Sequence, residues 1–299
     1  MRVVVLFPGA LGDLCLLAPA LASLVARGAR LELSLQRSVA PLASMLLPTA
    51  TLGPPIDGAA MATLFGGDVA PAISAWLAGA DRIVAWLARS TNASEIEKRC
   101  ATLGVSAELH AVPRADGDRH VSALYAEALG LAELPPPLRA SAPASAWPLP
   151  WRTTTASRLV VHPGAGAVGK QWPSEGFFDV ARTWAANGGE VAVLLGPAES
   201  AAAPWWRGTG LPLAVDLSLV DAAALVASAP HWIGNDAGMS HVAGALGRHG
   251  VVLFGPTRPQ RWMPRGGALV PVRFADRSIA IVTSDVLAAL RIDDPRHSA

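Results

Sequence analysis

The sequence predicts an α/β protein of two Rossmann-like domains facing a cleft. Three observations carry that expectation. Short β-branched runs alternate with stretches of helical length in both halves of the chain. A Pro-, Ala-, Ser- and Thr-rich segment without periodicity, residues 132–157, separates the halves. The unusual loops, Pro8-Gly9, His162-Pro163-Gly164, Gly196-Pro197, Asn235-Asp236 and Gly255-Pro256, all follow predicted strands. Alternation of this kind implies parallel sheets with right-handed crossovers, which bind ligands at the carboxyl ends of their strands. The expected domains are residues 1–148 and 149–299, with a C-terminal helix free to pack back on the first domain.

In the first half, RVVVLF (2–7) reads as a buried strand that ends in Pro-Gly. LCLLAPALASLVARG (14–28) has helical length and a glycine stop; Pro19 predicts a kink or a helix start near it. ARLELSL (29–35) alternates like a strand, DRIVAWL (81–87) is a second strand candidate, and RHVSALYAEALGL (119–131) is a helix. After the linker, SRLVVHPG is a strand entering a glycine loop, and SEGFFDVARTWAANGG is a helix closed by glycine. Then follow the strand EVAVLLGP, the helix LVDAAALVASA, the strand HWIGND, the helix MSHVAGALG and the strand GVVLFGPT.

Composition narrows the classes. Of 299 residues, 52% are hydrophobic and 16% charged, which fits a compact globular chain and excludes a disordered one. A net charge of +1 without any basic run argues against nucleic acid as a partner. The two cysteines, Cys15 and Cys100, lie far apart, which fits a reducing compartment and excludes a cysteine-built zinc site. The N-terminal 29 residues resemble a secretory signal in composition, but Pro8, Gly9, Gly12 and Asp13 interrupt the apolar core that a signal requires. No uninterrupted apolar stretch reaches the ~18 residues of a membrane span.

Several stretches could carry chemistry. In GNDAGMSHVAGALG (234–247) a strand stops on Asn235-Asp236, Gly238 frees the backbone, and His241 stands in the first turns of a helix. A plain connection needs neither the acid nor the histidine, although a lone histidine near a helix start is commonly structural. In PGALGDL (8–14), Gly9 and Gly12 allow close backbone approach to a ligand. Asp13 stands at a helix start, where it reads either as a cap or as a carboxylate held ionised and suited to act as a base.

HPGAGAVGKQWP (162–173) contains a literal G-x-G-x-x-G from Gly164 through Gly166 to Gly169. Lys170 to Pro173 intervene before the helix, and Glu190 stands at the wrong end of the next strand, so the loop does not suit a dinucleotide. A glycine-rich loop with one lysine does suit phosphate. Glu199, after a strand, reads alone as an ordinary surface residue, and Asp116-Gly117-Asp118 as a turn rather than a metal motif. Trp172, beside Pro173, and Trp262, two residues before Pro264, are loop candidates. The seven histidines show no metal spacing, and no nucleophile elbow or Walker loop is present.

Together, GALGDLCLLAPAL, DRHVSALYAEALGL, HPGAGAVGKQWPSEGFFDVA and GNDAGMSHVAGALGRHGVVLFGPTRPQRWMP resemble, in order and position, the ADP-heptose:lipopolysaccharide heptosyltransferases, glycosyltransferase family 9. Residues 36–110 carry no matching motif. The resemblance implies a B-type glycosyltransferase fold, with an acceptor-side first domain and a nucleotide-sugar-binding second one. It implies an inverting transfer that needs no metal or cofactor, the ADP-sugar being the donor substrate. Asp236, Gly238 and His241 would face the sugar nucleotide, with Gly164, Gly166 and Lys170 at the diphosphate. Glu199 would hold the ribose and the backbone near Leu217 would border the base. Asp13 would be the general base, and Gly9 and Gly12 would form the acceptor-side loop.

The implied partners are a nucleotide-sugar donor and a glycan or lipid-linked glycan acceptor. The implied location is cytoplasmic, with peripheral contact at the inner membrane. One departure bears on the acceptor: residues 38–81 contain no Lys or Arg, leaving Arg37, Arg82, Arg89, Arg114 and Arg119 as candidates for an anionic group. Two other readings stay open at this point, a sugar-nucleotide epimerase of the same fold and a non-catalytic sugar-nucleotide-binding protein.

Overall fold

The computed structural model describes residues 1–88, 93–114, 117–152 and 157–292. The chain divides into two compact units, Met1–Pro136 and Pro137–Ala299. The expected linker therefore belongs largely to the second unit. Ala140 N–H bonds the carbonyl of Ala245 at 2.8 Å, and Ser145 Oγ reaches Asp221 Oδ1 at 2.5 Å, which ties residues 137–148 to that unit.

The first unit holds strands β1 (Arg2–Phe7), β2 (Arg30–Leu35), β3 (Thr51–Leu52), β4 (Arg82–Ala85) and β5 (Ala107–Leu109). They pair in parallel in the order β3-β2-β1-β4-β5. Val3 to Phe7 are fully buried, as expected of a central parallel strand covered on both faces. The following helix runs Leu11–Ala26, straight through Pro19, so it starts well before that proline. It buries Leu14, Leu17 and Leu21, where truncation to Ala costs about 2–5 kcal/mol per site. Gly28, at φ +87°, terminates it in the left-handed conformation that glycine adopts without penalty. The helix Val121–Ala128 packs against it.

The second unit holds β6 (Arg158–His162), β7 (Glu190–Leu195), β8 (Leu213–Val215), β9 (His231–Asn235), β10 (His249–Phe254) and β11 (Ala268–Arg273). All pair in parallel, in the order β11-β10-β9-β6-β7-β8. Counted from its own first strand, this is the 3-2-1-4-5-6 order of Rossmann sheets. Leu159, Val161, Phe177, Val180, Trp206 and Val251 form its core. Trp172 lies in the loop before the Ser174–Ala186 helix, as expected, but its side chain is buried in that core, edge-on to Phe177 at 5.0 Å. The last helix, Ile279–Ile292, buries Val282, Val286 and Leu290 in the same core and packs on β10, β11 and the Ser174–Ala186 helix of its own unit.

Both sheets reverse strand order at their first strand. The chain leaves β1 beside β4, and leaves β6 beside β9, at a topological switch point where parallel sheets open a crevice. The first loop leads from Gly9 into the helix whose first turn carries Asp13, and the second carries Gly164 to Lys170.

Candidate functional site

In the first unit, Asp13 is half-buried in the first turn of the Leu11–Ala26 helix, whose N-cap residue is Ala10. Tyr125 Oη donates to Asp13 Oδ1 at 3.1 Å. Burial, and then the nearby carboxylate, push the phenol far above its ordinary value, so it stays a donor. Burial pushes the neighbouring Cys15 thiol up to about 12, with Asp13 adding to the effect.

Gly9 is buried because only hydrogen fits there: a Cβ would lie 2.3 Å from the Phe7 ring and 3.0 Å from Asp13 Cβ. Gly12 sits one residue before Asp13 within the helix. Gln36 donates to the Pro8 carbonyl and so ties the end of β2 to this loop.

The basic candidates divide. Arg37 is exposed just beyond β2, at the carboxyl end of the sheet. Arg82 stands at the opposite end, engaged by Glu108 through bonds of 2.7 and 2.6 Å. Arg119 pairs with Glu127 at 2.8 Å, and Arg114 is exposed. Arg89 lies outside the described residues, as does Asp116 of the Asp-Gly-Asp turn.

In the second unit, Asp236 is the centre of a polar cluster at the ends of β6, β9 and β10. Its carboxylate is almost fully buried. Lys170 Nζ lies 3.0 Å from Oδ2, Thr257 Oγ1 donates to the same oxygen at 2.7 Å, and His241 Nε2 lies 4.0 Å from Oδ1. Gly238 begins the next helix, Gly238–Ala245, which has no side-chain cap. Its first N–H groups and its positive dipole end stand two residues beyond Asp236. Lys170, Asp236, Gly238 and His241 are thus brought together as expected, joined by Thr257.

Asn235 holds the glycine loop at both ends. Its fully buried amide donates to Pro163 O at 2.7 Å and accepts from Trp172 N at 3.0 Å. Gly164 is buried, whereas Gly166 is exposed on the open part of the loop. Glu199 lies against Gly164, since a Cβ there would fall 2.3 Å from the Glu199 carboxyl carbon. The carboxylate also accepts from Gly196 N–H at 2.9 Å. His162, buried beside them, keeps Nδ1 at 2.9 Å from the Leu194 carbonyl, and burial lowers its proton affinity. Leu217 lines an open pocket of about 490 Å³ along β8, shared with Trp147, Arg207 and Val215. Among the described residues, no three His, Cys, Asp or Glu side chains gather as a metal site would require.

The family profile described as "Glycosyltransferase family 9 (heptosyltransferase)" matches residues 96–279, more than half of the chain. The chain belongs to glycosyltransferase family 9. It is therefore a sugar-transferring enzyme, and the epimerase and non-catalytic readings give way.

A search of curated sequences returns no match. Solved structures agree in fold over nearly the whole of this glycosyltransferase. A family 9 glycosyl transferase from Veillonella parvula DSM 2008 has TM-score 0.74 at 19% identity, over 97% of this chain and 96% of that one. E. coli ADP-heptose lps heptosyltransferase II has TM-score 0.76 at 17% identity, over 98% of each chain. E. coli heptosyltransferase WaaC with ADP has TM-score 0.73 at 16% identity, over 98% of this chain and 100% of that one.

Three residues of the two clusters, one in the first unit and two in the second, escape a sequence reading. Tyr125 and Thr257 reach their carboxylates from distant elements. Asn235 carried a signal, since a polar residue at the end of a buried strand needs partners.

Proposed function

We propose that the enzyme transfers a heptose-class sugar from an ADP-activated donor to a hydroxyl of a glycan or lipopolysaccharide-type acceptor, with inversion and without metal. The observation that carries this reading is the convergence of the Lys170 ammonium and the uncapped Gly238–Ala245 helix at Asp236. One point charge and a row of backbone N–H groups form a site for a diphosphate. The names of the similar E. coli proteins supply the nucleotide and sugar class.

Asp13 acts as the base. Its carboxylate takes the proton of the acceptor hydroxyl, and the oxygen bonds to the anomeric carbon while the bond from that carbon to the diphosphate oxygen breaks. Attack from the side opposite the leaving group inverts the centre. Lys170 and the loop and helix N–H groups meet the negative charge that develops on ADP, a task that a divalent cation performs in other transferases. Glu199, beside Gly164, accepts from the ribose hydroxyls, and Leu217 borders the base. His241 and Asp236 face the sugar nucleotide.

No helix among the described residues is long and apolar enough to cross a membrane. A lipid-linked acceptor would bring the enzyme to the cytoplasmic face of the inner membrane as a peripheral protein.

The test is Asp13→Ala, assayed with ADP-heptose and heptose-deficient lipopolysaccharide. Transfer collapses while ADP binding survives. Undiminished transfer would remove Asp13 from the role of base.

A further inference from the structure

The chain has a single tyrosine. It is fully buried, yet its hydroxyl reaches a carboxylate 112 residues away in sequence. Its ring is held by two others: Phe7, the last residue of β1, at 5.8 Å and Trp86, just beyond β4, at 5.6 Å, both edge to face. Phe7 and Trp86 meet each other at 5.5 Å in the same way. The triangle therefore bridges the switch point of the first sheet, directly beneath the loop that delivers Asp13. Gly9 closes over it, pressed between the Phe7 ring and Asp13 Cβ.

A phenylalanine would fill this space without bringing a polar atom into it. Burying a hydroxyl is unfavourable unless a partner repays its lost hydration, and here the hydrogen bond goes to Asp13. A carboxylate in the first turn of a helix has several rotamers open to it. A donor on a ring that cannot turn away restricts it.

We propose that Tyr125 is a positioning residue for the transfer reaction, its hydroxyl fixing the Asp13 carboxylate through Oδ1 while Phe7 and Trp86 fix the ring. The inference rests on the reading of Asp13 as base. Two consequences separate it from a merely structural role. The orientation of the base is expressed in kcat and not in donor binding. A donated hydrogen bond favours the charged carboxylate, so removing it moves the acid limb of the rate profile to higher pH.

The experiment compares wild type, Tyr125→Phe and Asp13→Asn with ADP-heptose and heptose-deficient lipopolysaccharide. In Tyr125→Phe, kcat falls roughly tenfold to a hundredfold, as for loss of a hydrogen bond to a charged group. Its acid limb shifts upward, and KM for ADP-heptose holds. Unchanged kcat and an unmoved limb would overturn the proposal.

A second measurement needs neither substrate nor the phenylalanine variant. Because only one tyrosine is present, 3-fluorotyrosine labels Tyr125 alone. Its fluorine resonance titrates in acid in the wild type and loses that transition in Asp13→Asn. A flat resonance in the wild type would overturn the contact. If the resonance titrates but Asp13→Asn transfers sugar at the wild-type rate, the base reading fails and the positioning role falls with it. If Asp13→Asn is inactive and Tyr125→Phe is unaffected, the positioning role alone fails.

Discussion

Lys170 Nζ lies 3.0 Å from Asp236 Oδ2, a pair in which the acid is almost wholly buried and the lysine one-third exposed. Asp236 therefore keeps a partially wetted cation at the end of the glycine loop. A phosphate arriving there meets a positive charge already in place. Lys170→Ala should weaken ADP binding about tenfold to a hundredfold, as for a lost charge-assisted hydrogen bond. The salt dependence of binding should flatten as well. Calorimetry at two ionic strengths checks both, and an unaltered affinity would take Lys170 out of the diphosphate site.

Gly164 and Glu199 make a second, steric prediction. A methyl group on Gly164 would lie 2.3 Å from the Glu199 carboxyl carbon. The carboxylate sits at the end of a flexible side chain, so it moves and the fold survives. In Gly164→Ala, nucleotide affinity should fall about tenfold while the melting temperature changes little, because one hydrogen bond to an ionised group is lost. Equal affinity in the variant would mean that Glu199 does not hold the ribose from this position.

Asn235 predicts the reverse pattern, with stability lost along with binding. Asn235→Ala leaves Pro163 O and Trp172 N without their partner in a dry site. Unfolding by urea should show a loss of about 2–6 kcal/mol, since each of the two orphaned buried groups costs about 1–3 kcal/mol. A variant as stable as the wild type would show that the glycine loop is held by other contacts.

His162 ties stability to pH. Its burial lowers its proton affinity below the ordinary value of 6.5, against the opposing pull of the Leu194 carbonyl and Glu199. Above that value both folded and unfolded chains carry the neutral ring. As pH falls below it, the unfolded chain takes up a proton first, so stability drops. At pH about 5.5 the loss from this residue is at most about 1.4 kcal/mol. Urea midpoints at about pH 7.5 and 5.5 should differ more in the wild type than in His162→Asn. An equal difference would mean that His162 carries no such burden.

Much of the fold was legible because buried parallel strands are written as unbroken apolar runs, such as Val3-Val4-Val5-Leu6 and Val251-Val252-Leu253-Phe254. The edge strands β3, β5 and β8 were not, because runs of two or three residues carry no periodicity. The unit boundary was displaced because single hydrogen bonds, from Ala140 and Ser145, attach a segment whose composition resembles a free linker. Of the candidate residues, Asp13 in the first unit and Lys170, Asp236 and His241 in the second stand in short motifs, each beside its own glycine loop or helix start. Tyr125 sits in an ordinary amphipathic helix. Its partner is set by how that helix packs on another, which no local pattern records.

The central claim is that the cluster around Asp236 binds the diphosphate of an adenine nucleotide without metal. Its most direct test is a calorimetric titration of the full chain with ADP, UDP and GDP, each in the presence of EDTA. The account predicts clear preference for ADP and no change when magnesium replaces the chelator. Preference for UDP or GDP, or binding that appears only with a divalent cation, would contradict it.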